Sequence, residues 1–245
     1  MLSNMEDYKF KTKPYQHQDD ILKGTWDKIN WAFFMEMGTG KSKVCIDTAA
    51  MLFEAGEIDT FIVVAPKGVY RNWANLEIPA HMPDRVREGA LISMWRPNPP
   101  KALKQDLNSF TEPAQGFRML MINIEALSTA KGQKYLAAVL GASEALLAID
   151  ESTAIKSVKA SRTKSLLKMS HLAKYRRILT GFPVTQSPLD LWSQCRFMGK
   201  NLLGGCGDNF FQFQYRYAIM NRRNVGAHSF NQIVGYRNLD ELSGL

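Results

Sequence analysis

Five short apolar runs recur along the chain, each parted from the next by a longer stretch, and this alternation limits the possible folds more than any other feature. The runs occupy residues 31–36 (WAFFME), 60–66 (TFIVVAP), 117–123 (FRMLMIN), 145–150 (ALLAID) and 176–181 (RRILTG). Runs this short, rich in β-branched or aromatic residues and bounded by polar or turn residues, read as buried strands. Between the first two, residues 41–55 space Val44, Ala49, Met51, Leu52 and Ala55 along one helical face. Residues 68–80, 125–139 and 158–173 read as further helices, and Pro14 suits the first turn of an opening helix that runs to about Asn30. Strand, helix, strand, repeated, requires crossover connections, so the expected class is α/β: three layers, with a mostly parallel central sheet flanked by helices. The prolines of residues 96–100 (RPNPP) mark a loop.

The chain has 245 residues, 45% of them hydrophobic and 22% charged, which is ordinary for a globular domain and excludes wholesale disorder. No apolar run approaches the roughly 18 residues of a membrane span, and the first residues lack the apolar core of a secretory signal. Cys45, Cys195 and Cys206 are odd in number and lack metal-ligand spacing, so they read as reduced thiols in a cytoplasmic setting. Thirty-one lysines and arginines against 23 acids give a formal charge of +8, which makes a polyanion a natural partner.

Chemistry enters at residues 35–42, MEMGTGKS, between a predicted strand and a predicted helix. Small residues there let successive backbone N–H groups curl around phosphate oxygens at a helix N-terminus. Gly38 and Gly40 supply backbone freedom around Thr39, Lys41 a charge for the β- and γ-phosphates, and Ser42 a hydroxyl for Mg²⁺. The first glycine of the longer phosphate-loop pattern is Met35 here. Residues 146–152, LLAIDES, form an apolar strand that ends in two acids, and ligands of open parallel sheets sit beyond such strand ends. Asp150 then suits the metal, and Glu151 the general base that orients water. Asp-Glu-Ser would equally suit a helix start, and the phosphate loop decides for function.

The ordered set KPYQHQ (13–18), MGTGKS (37–42), VVAPKGVYRNW (63–73), INIEAL (122–127), IDESTAIKS (149–157) and RRILTGFPVTQSPLDLWSQCRFM (176–198) resembles the motifs of superfamily-two helicases. Within them it is similar to the Swi/Snf-type double-stranded DNA translocases, above all their compact bacterial and phage versions. The resemblance implies a RecA-like lobe that uses ATP and Mg²⁺. Tyr15 and Gln16 would contact the adenine, and Thr180 and Gly181 would couple nucleotide state to DNA. Pro66, Lys67, Arg71, Asn72 and Trp73 would lie in the first DNA-facing loop, with Lys156 a further DNA-facing residue. As side chains, Trp73 and Trp192 suit core packing better than base stacking. DEST stands where the family has DEAH, so coupling through a histidine is replaced, and Ser152 and Thr153 are left to bond a neighbouring motif. Phe182 stands where a small or hydroxylated residue is usual.

The expected organisation is one N-terminal lobe over residues 1–245: an adenine-motif helix (13–30), a core (31–200) and an aromatic, basic extension (201–245) containing the run NRRN (221–224). Such motors need a second RecA-like lobe, and its motifs are absent from this sequence. The partners implied are double-stranded DNA and that second lobe, in cis or in trans, with no membrane. Retention of Lys41, Asp150 and Glu151 favours a motor lobe over a non-motor nucleic-acid- or protein-binding module that keeps the fold.

Overall fold

A computed structural model describes residues 5–200, 202–225 and 228–243. Asn201 and the last two residues, at the expected bounds of the extension, lie outside them. Six strands, β1 (Asn30–Phe34), β2 (Thr60–Ala65), β3 (Leu91–Met94), β4 (Arg118–Asn123), β5 (Ala145–Asp150) and β6 (Tyr175–Thr180), form one sheet in the order β1-β6-β5-β2-β4-β3. Every pairing in it is parallel. The helices are α1 (Gln16–Thr25), α2 (Lys41–Glu54), α3 (Tyr70–Asn72), α4 (Ile78–His81), α5 (Asp84–Arg87), α6 (Lys101–Ser109), α7 (Ala130–Gly141), α8 (Ser161–Met169), α9 (Asp190–Met198), α10 (Phe210–Tyr217) and α11 (Leu239–Ser243).

The sheet is buried on both faces because its strands are continuous hydrophobe. Phe61, Val63 and Ala65 of β2 pack with Leu22, Val44 and Trp73 in one layer. Ile62 and Val64, pointing the other way, pack with Leu136, Leu166 and Phe197 in the opposite layer. That period of two, repeated in β4 and β5, is what divides the core into two slabs around the sheet. Leu189, Trp192, Phe213 and Tyr217 build a third, smaller cluster that anchors the extension. Trp192 is buried there, edge-on to Phe210 with ring centroids 5.5 Å apart.

Four readings need correction. The opening helix stops at Thr25, not near Asn30, because buried Arg177 of β6 takes the carbonyls of Thr25 and Trp26 at 3.1 Å each. β3 was not expected; it is four residues long and lies at the sheet edge. The helix expected over 68–80 is broken into α3, a π-helical turn (Trp73–Glu77) and α4. The NRRN run carries no strand signal, yet Asn221–Asn224 belong to β7 (Ala218–Val225), paired antiparallel with β8 (His228–Tyr236).

Candidate nucleotide site

Strand register brings the proposed groups together. Phe34, the last residue of β1, pairs with Thr180, and Leu179 pairs with Asp150, so β1, β6 and β5 end at one level. Neighbouring strands lie about 4.8 Å apart, which puts the start of the phosphate loop roughly 10 Å from the acidic pair, with Thr180 and Gly181 between them.

The loop is shaped by its glycines. Gly38 (φ 79°) and Gly40 (φ 86°) both adopt left-handed backbone that other residues rarely take. A Cβ on Gly40 would meet the amide end of the flexible Gln18 side chain, which can shift, so conformation more than contact reserves the position for glycine. Thr39 Oγ1 donates to Glu36 O at 2.7 Å, which tightens the turn. Lys41 Nζ donates to the carbonyls of Met35 and Glu36, each at 3.0 Å, and so lies folded inside the loop. Ser42, half-buried, sits in the first turn of α2. Gly181 backs the loop: a Cβ there would lie 3.5 Å from Met35 O and Met37 N. Thr180 is buried, and its Oγ1 accepts from Phe182 N at 3.2 Å.

Of the adenine-motif residues, Tyr15 is exposed and stacks beside His17 with ring centroids 6.0 Å apart. Gln16 is also exposed and bonds Asp20 Oδ1 at 2.8 Å rather than the loop. The glutamine that reaches the loop is Gln18, which sequence reasoning missed. Its Nε2 donates to Thr39 O at 2.9 Å, and its Oε1 accepts from Tyr15 N at 3.0 Å. Glutamine at the third helical position, bonding back to the N-cap amide, is half of a capping box, and that spacing was the available signal.

Asp150 is 8% exposed, and both of its oxygens are held. Oδ2 accepts from Trp73 Nε1 at 2.8 Å, and Oδ1 from Glu151 N at 3.0 Å. Each carboxylate oxygen has a second lone pair, so a metal ligand remains on offer. Burial pushes the Asp150 carboxyl up, against the opposing pull of these hydrogen bonds and of the Lys41 charge. Glu151 is pushed up by burial and then by the Asp150 charge, and Lys41 again acts the other way. Glu151 also sits at φ 51°, a left-handed conformation uncommon for a residue with a side chain. A carboxyl of raised pKa on a strained strand end, beside a lysine, is a reasonable proton acceptor. One hydroxyl and one carboxylate suit Mg²⁺, which keeps waters and takes its other ligands from phosphates. Among the described residues no cluster of three histidine, cysteine or acidic side chains offers a protein-only metal cage.

The expected DNA-facing residues divide. Lys67, Arg71 and Asn72 are exposed beyond the end of β2, at the same sheet edge as the site, with the Arg71 guanidinium 5.9 Å from the Tyr70 ring centroid. Lys156 does not project with them. Its Nζ donates to Thr185 Oγ1 at 2.7 Å and lies 3.9 Å from Asp190 Oδ2. Asp190 also accepts from Thr185, Gln186 and Ser187 backbone N–H groups, which outweigh its burial and hold its carboxyl below the usual range. Ser152 Oγ donates to Gln194 Oε1 and Ser193 Oγ to Ile155 O, each at 2.6 Å, so with Lys156 the segment after the acidic pair is hydrogen-bonded three times to residues 185–194. Composition did not locate one further basic feature, a groove of about 640 Å³ between α7 and α8 lined by Lys134, Lys159, Lys164 and Lys168.

Comparison with known proteins agrees with this architecture. A model of the SNF2-related domain matches residues 16–236. Among curated relatives, the chromatin-remodeling ATPase INO80 of Arabidopsis thaliana is 30% identical over 194 residues, covering 76% of this chain and 12% of that protein. Its Saccharomyces cerevisiae counterpart is 29% identical over 186 residues, covering 71% and 11%. The chain therefore spans only about an eighth of the length of these relatives. A solved structure, the Sulfolobus solfataricus SWI2/SNF2 ATPase core in complex with dsDNA, matches with a TM-score of 0.65 at 19% identity, covering 89% of this chain and 41% of that one. These relatives are a plant and a yeast protein, so the bacterial or phage source that the resemblance suggested finds no support in them. With its parallel RecA-like sheet and a family match that runs from the start of α1 to the end of β8, the chain belongs to the SNF2-related domain family.

Proposed function

We propose that this chain is the N-terminal RecA-like lobe of a DNA-dependent ATPase, which binds Mg²⁺·ATP and moves on double-stranded DNA when paired with a second lobe. The observation that carries the reading is the common end level of β1, β6 and β5, which gathers Lys41, Thr180, Asp150 and Glu151. In this reading Lys41 and the loop amides would hold the phosphates, and Ser42 and Asp150 would hold Mg²⁺, which when bound would supply charge to the phosphoryl group. Glu151 orients the attacking water and takes its proton. Tyr15 and Gln16 face the base, while Gln18 fixes α1 to the loop. Lys156, bonded to Thr185, serves better as a link between motifs than as a DNA contact. Residues 13–30 serve as the adenine-motif helix, 31–200 as the core and 201–245 as an extension that α10 helps to anchor. Among the described residues no helix is long and apolar enough to cross a membrane. The three free cysteines suit a cytoplasmic setting.

Duplex is the favoured polyanion because the relatives are chromatin-remodeling ATPases and the solved neighbour holds dsDNA. Lys67 and Arg71, at the same edge as the nucleotide groups, would contact backbone phosphates and read few bases. Each neutralised phosphate contributes about −0.9 to the slope of log affinity against log salt. Lys67→Ala/Arg71→Ala should therefore flatten that slope by roughly 2 when duplex binding is followed by fluorescence anisotropy across a salt series. An unchanged slope, or strong preference for one base sequence, would contradict this DNA face.

A further inference from the structure

Trp73 occupies an unusual position for a residue of a DNA-facing segment. It is 1% exposed, the largest fully buried side chain among the described residues, and its ring lies edge-on to Phe61 with centroids 6.2 Å apart. Its indole N–H is spent on a single acceptor, Asp150 Oδ2, 77 residues away in sequence. The other Asp150 oxygen is taken by the Glu151 amide of the same strand end, so Trp73 provides the one hydrogen bond to this carboxylate that comes from another element.

The backbone around Trp73 makes this contact sensitive to its own segment. Tyr70 N and Val69 N both donate to Pro66 O, at 3.0 and 2.8 Å, so the segment folds back directly after β2. Arg71 and Asn72 project outward from it, and Trp73 then turns inward. At Trp73 the helix changes to a π turn, with Ile78 N donating to Trp73 O, the wide and rare form of helix that concentrates at functional sites. An ordinary α turn would rotate the residues after Asn72 differently about the axis.

We infer that Trp73, which directly follows the exposed Arg71 and Asn72, is a positioning residue for the metal carboxylate and sets how well Asp150 receives Mg²⁺. The inference rests on the nucleotide reading above and adds to it the residue that orients its acid. Held between Trp73 and its own backbone, Asp150 presents its remaining lone pairs in one direction. Without the indole the carboxyl group can rotate, and partners that orient a ligating carboxylate are typically worth about 10- to 100-fold in metal affinity.

The test uses the chain itself, titrated with ADP in the presence and absence of Mg²⁺. Trp73→Phe keeps an aromatic ring in the core and removes the donor together with part of the indole's volume, so comparison with and without Mg²⁺ separates the lost donor from the looser packing. We expect its Mg²⁺-free affinity for ADP to match the wild type while the gain on adding Mg²⁺ shrinks by about tenfold or more. In the wild type, the indole N–H resonance missing from the Trp73→Phe spectrum should move on adding Mg²⁺ to the ADP complex. An undiminished Mg²⁺ gain in Trp73→Phe, an equal loss with and without Mg²⁺, or a resonance indifferent to the metal would each overturn the inference. Lys41→Ala separates the two levels of argument. If it binds ADP as the wild type does, the nucleotide reading falls and this inference with it. If it loses binding while Trp73→Phe keeps its full Mg²⁺ gain, only the inference falls.

Discussion

Glu151→Gln, assayed with a second RecA-like lobe supplied in cis or in trans, is expected to lower DNA-stimulated ATP hydrolysis by about 10²- to 10⁴-fold, the range of a lost general base. Affinity for Mg²⁺·ATP should stay near the wild type, because the amide keeps the shape and lies beside Asp150 without replacing it. The same change should raise thermal stability at neutral pH. Glu151 has its pKa raised above 4.5 by burial and by the Asp150 charge. A carboxyl raised in the fold gives stability that is fully present below its unfolded pKa and lost as pH rises through its folded pKa. At pH 7 the charge therefore works against the fold, and glutamine, resembling the protonated form, relieves it. The variant should melt above the wild type at pH 7, and the two should converge as pH falls below the usual carboxylate range. Stability conceded at a site in exchange for chemistry is a common trade. Retained hydrolysis in Glu151→Gln would remove the proton acceptor from the account. A lower melting temperature at pH 7 would contradict the unfavourable burial of its charge beside Asp150.

The second large effect concerns Arg177, fully buried and pushed down to about 10 by desolvation. Its guanidinium donates to the carbonyls of Thr25, Trp26, Ile29 and Arg176, so it closes the C-terminal end of α1 and the approach to β1. Arg177→Met fills similar volume but leaves these carbonyls without their donor. Orphaned buried polar groups cost about 1–3 kcal/mol each, and some carbonyls here can reach solvent, so we expect roughly 3 kcal/mol in total. For a domain of this size that corresponds to a fall of about 6–12 °C in Tm, measurable by circular dichroism. α1 carries Gln18, so nucleotide affinity should fall with it. An unchanged melting temperature would mean that α1 is held by its apolar face alone.

Five of the six strands of the parallel sheet were legible because each is a hydrophobic run closed by turn or polar residues. β3 was not: LISM is too short to show a period and takes its place only by pairing with β4 at the edge. The hairpin β7–β8 was hidden for a different reason. Residues 221–224 and 229–232 are exposed throughout, so no apolar alternation marks them as strand. At the site, the phosphate loop and acidic pair were readable because each is contiguous and lies at a strand–turn junction. Partners supplied from far along the chain were not readable. Lys156 reads as a free cation in the sequence, but Thr185 and Asp190 fold against it; Trp73 is core, as its residue type implies, yet nothing in the sequence marks its N–H as the donor to Asp150. The choice between Gln16 and Gln18 rests on which face α1 turns to the loop, and that face is fixed in part by Arg177.

The central claim is that these residues bind nucleotide through the phosphate loop, and titration calorimetry of the chain with ATP and Mg²⁺ tests it most directly. One lobe forms half of a cleft, and each 1.4 kcal/mol lost weakens binding by about tenfold, so an affinity between roughly 0.1 and 1 mM is predicted. Lys41→Ala should abolish measurable heat over the same range. Absence of heat at millimolar nucleotide, or equal heat from Lys41→Ala, would contradict the account.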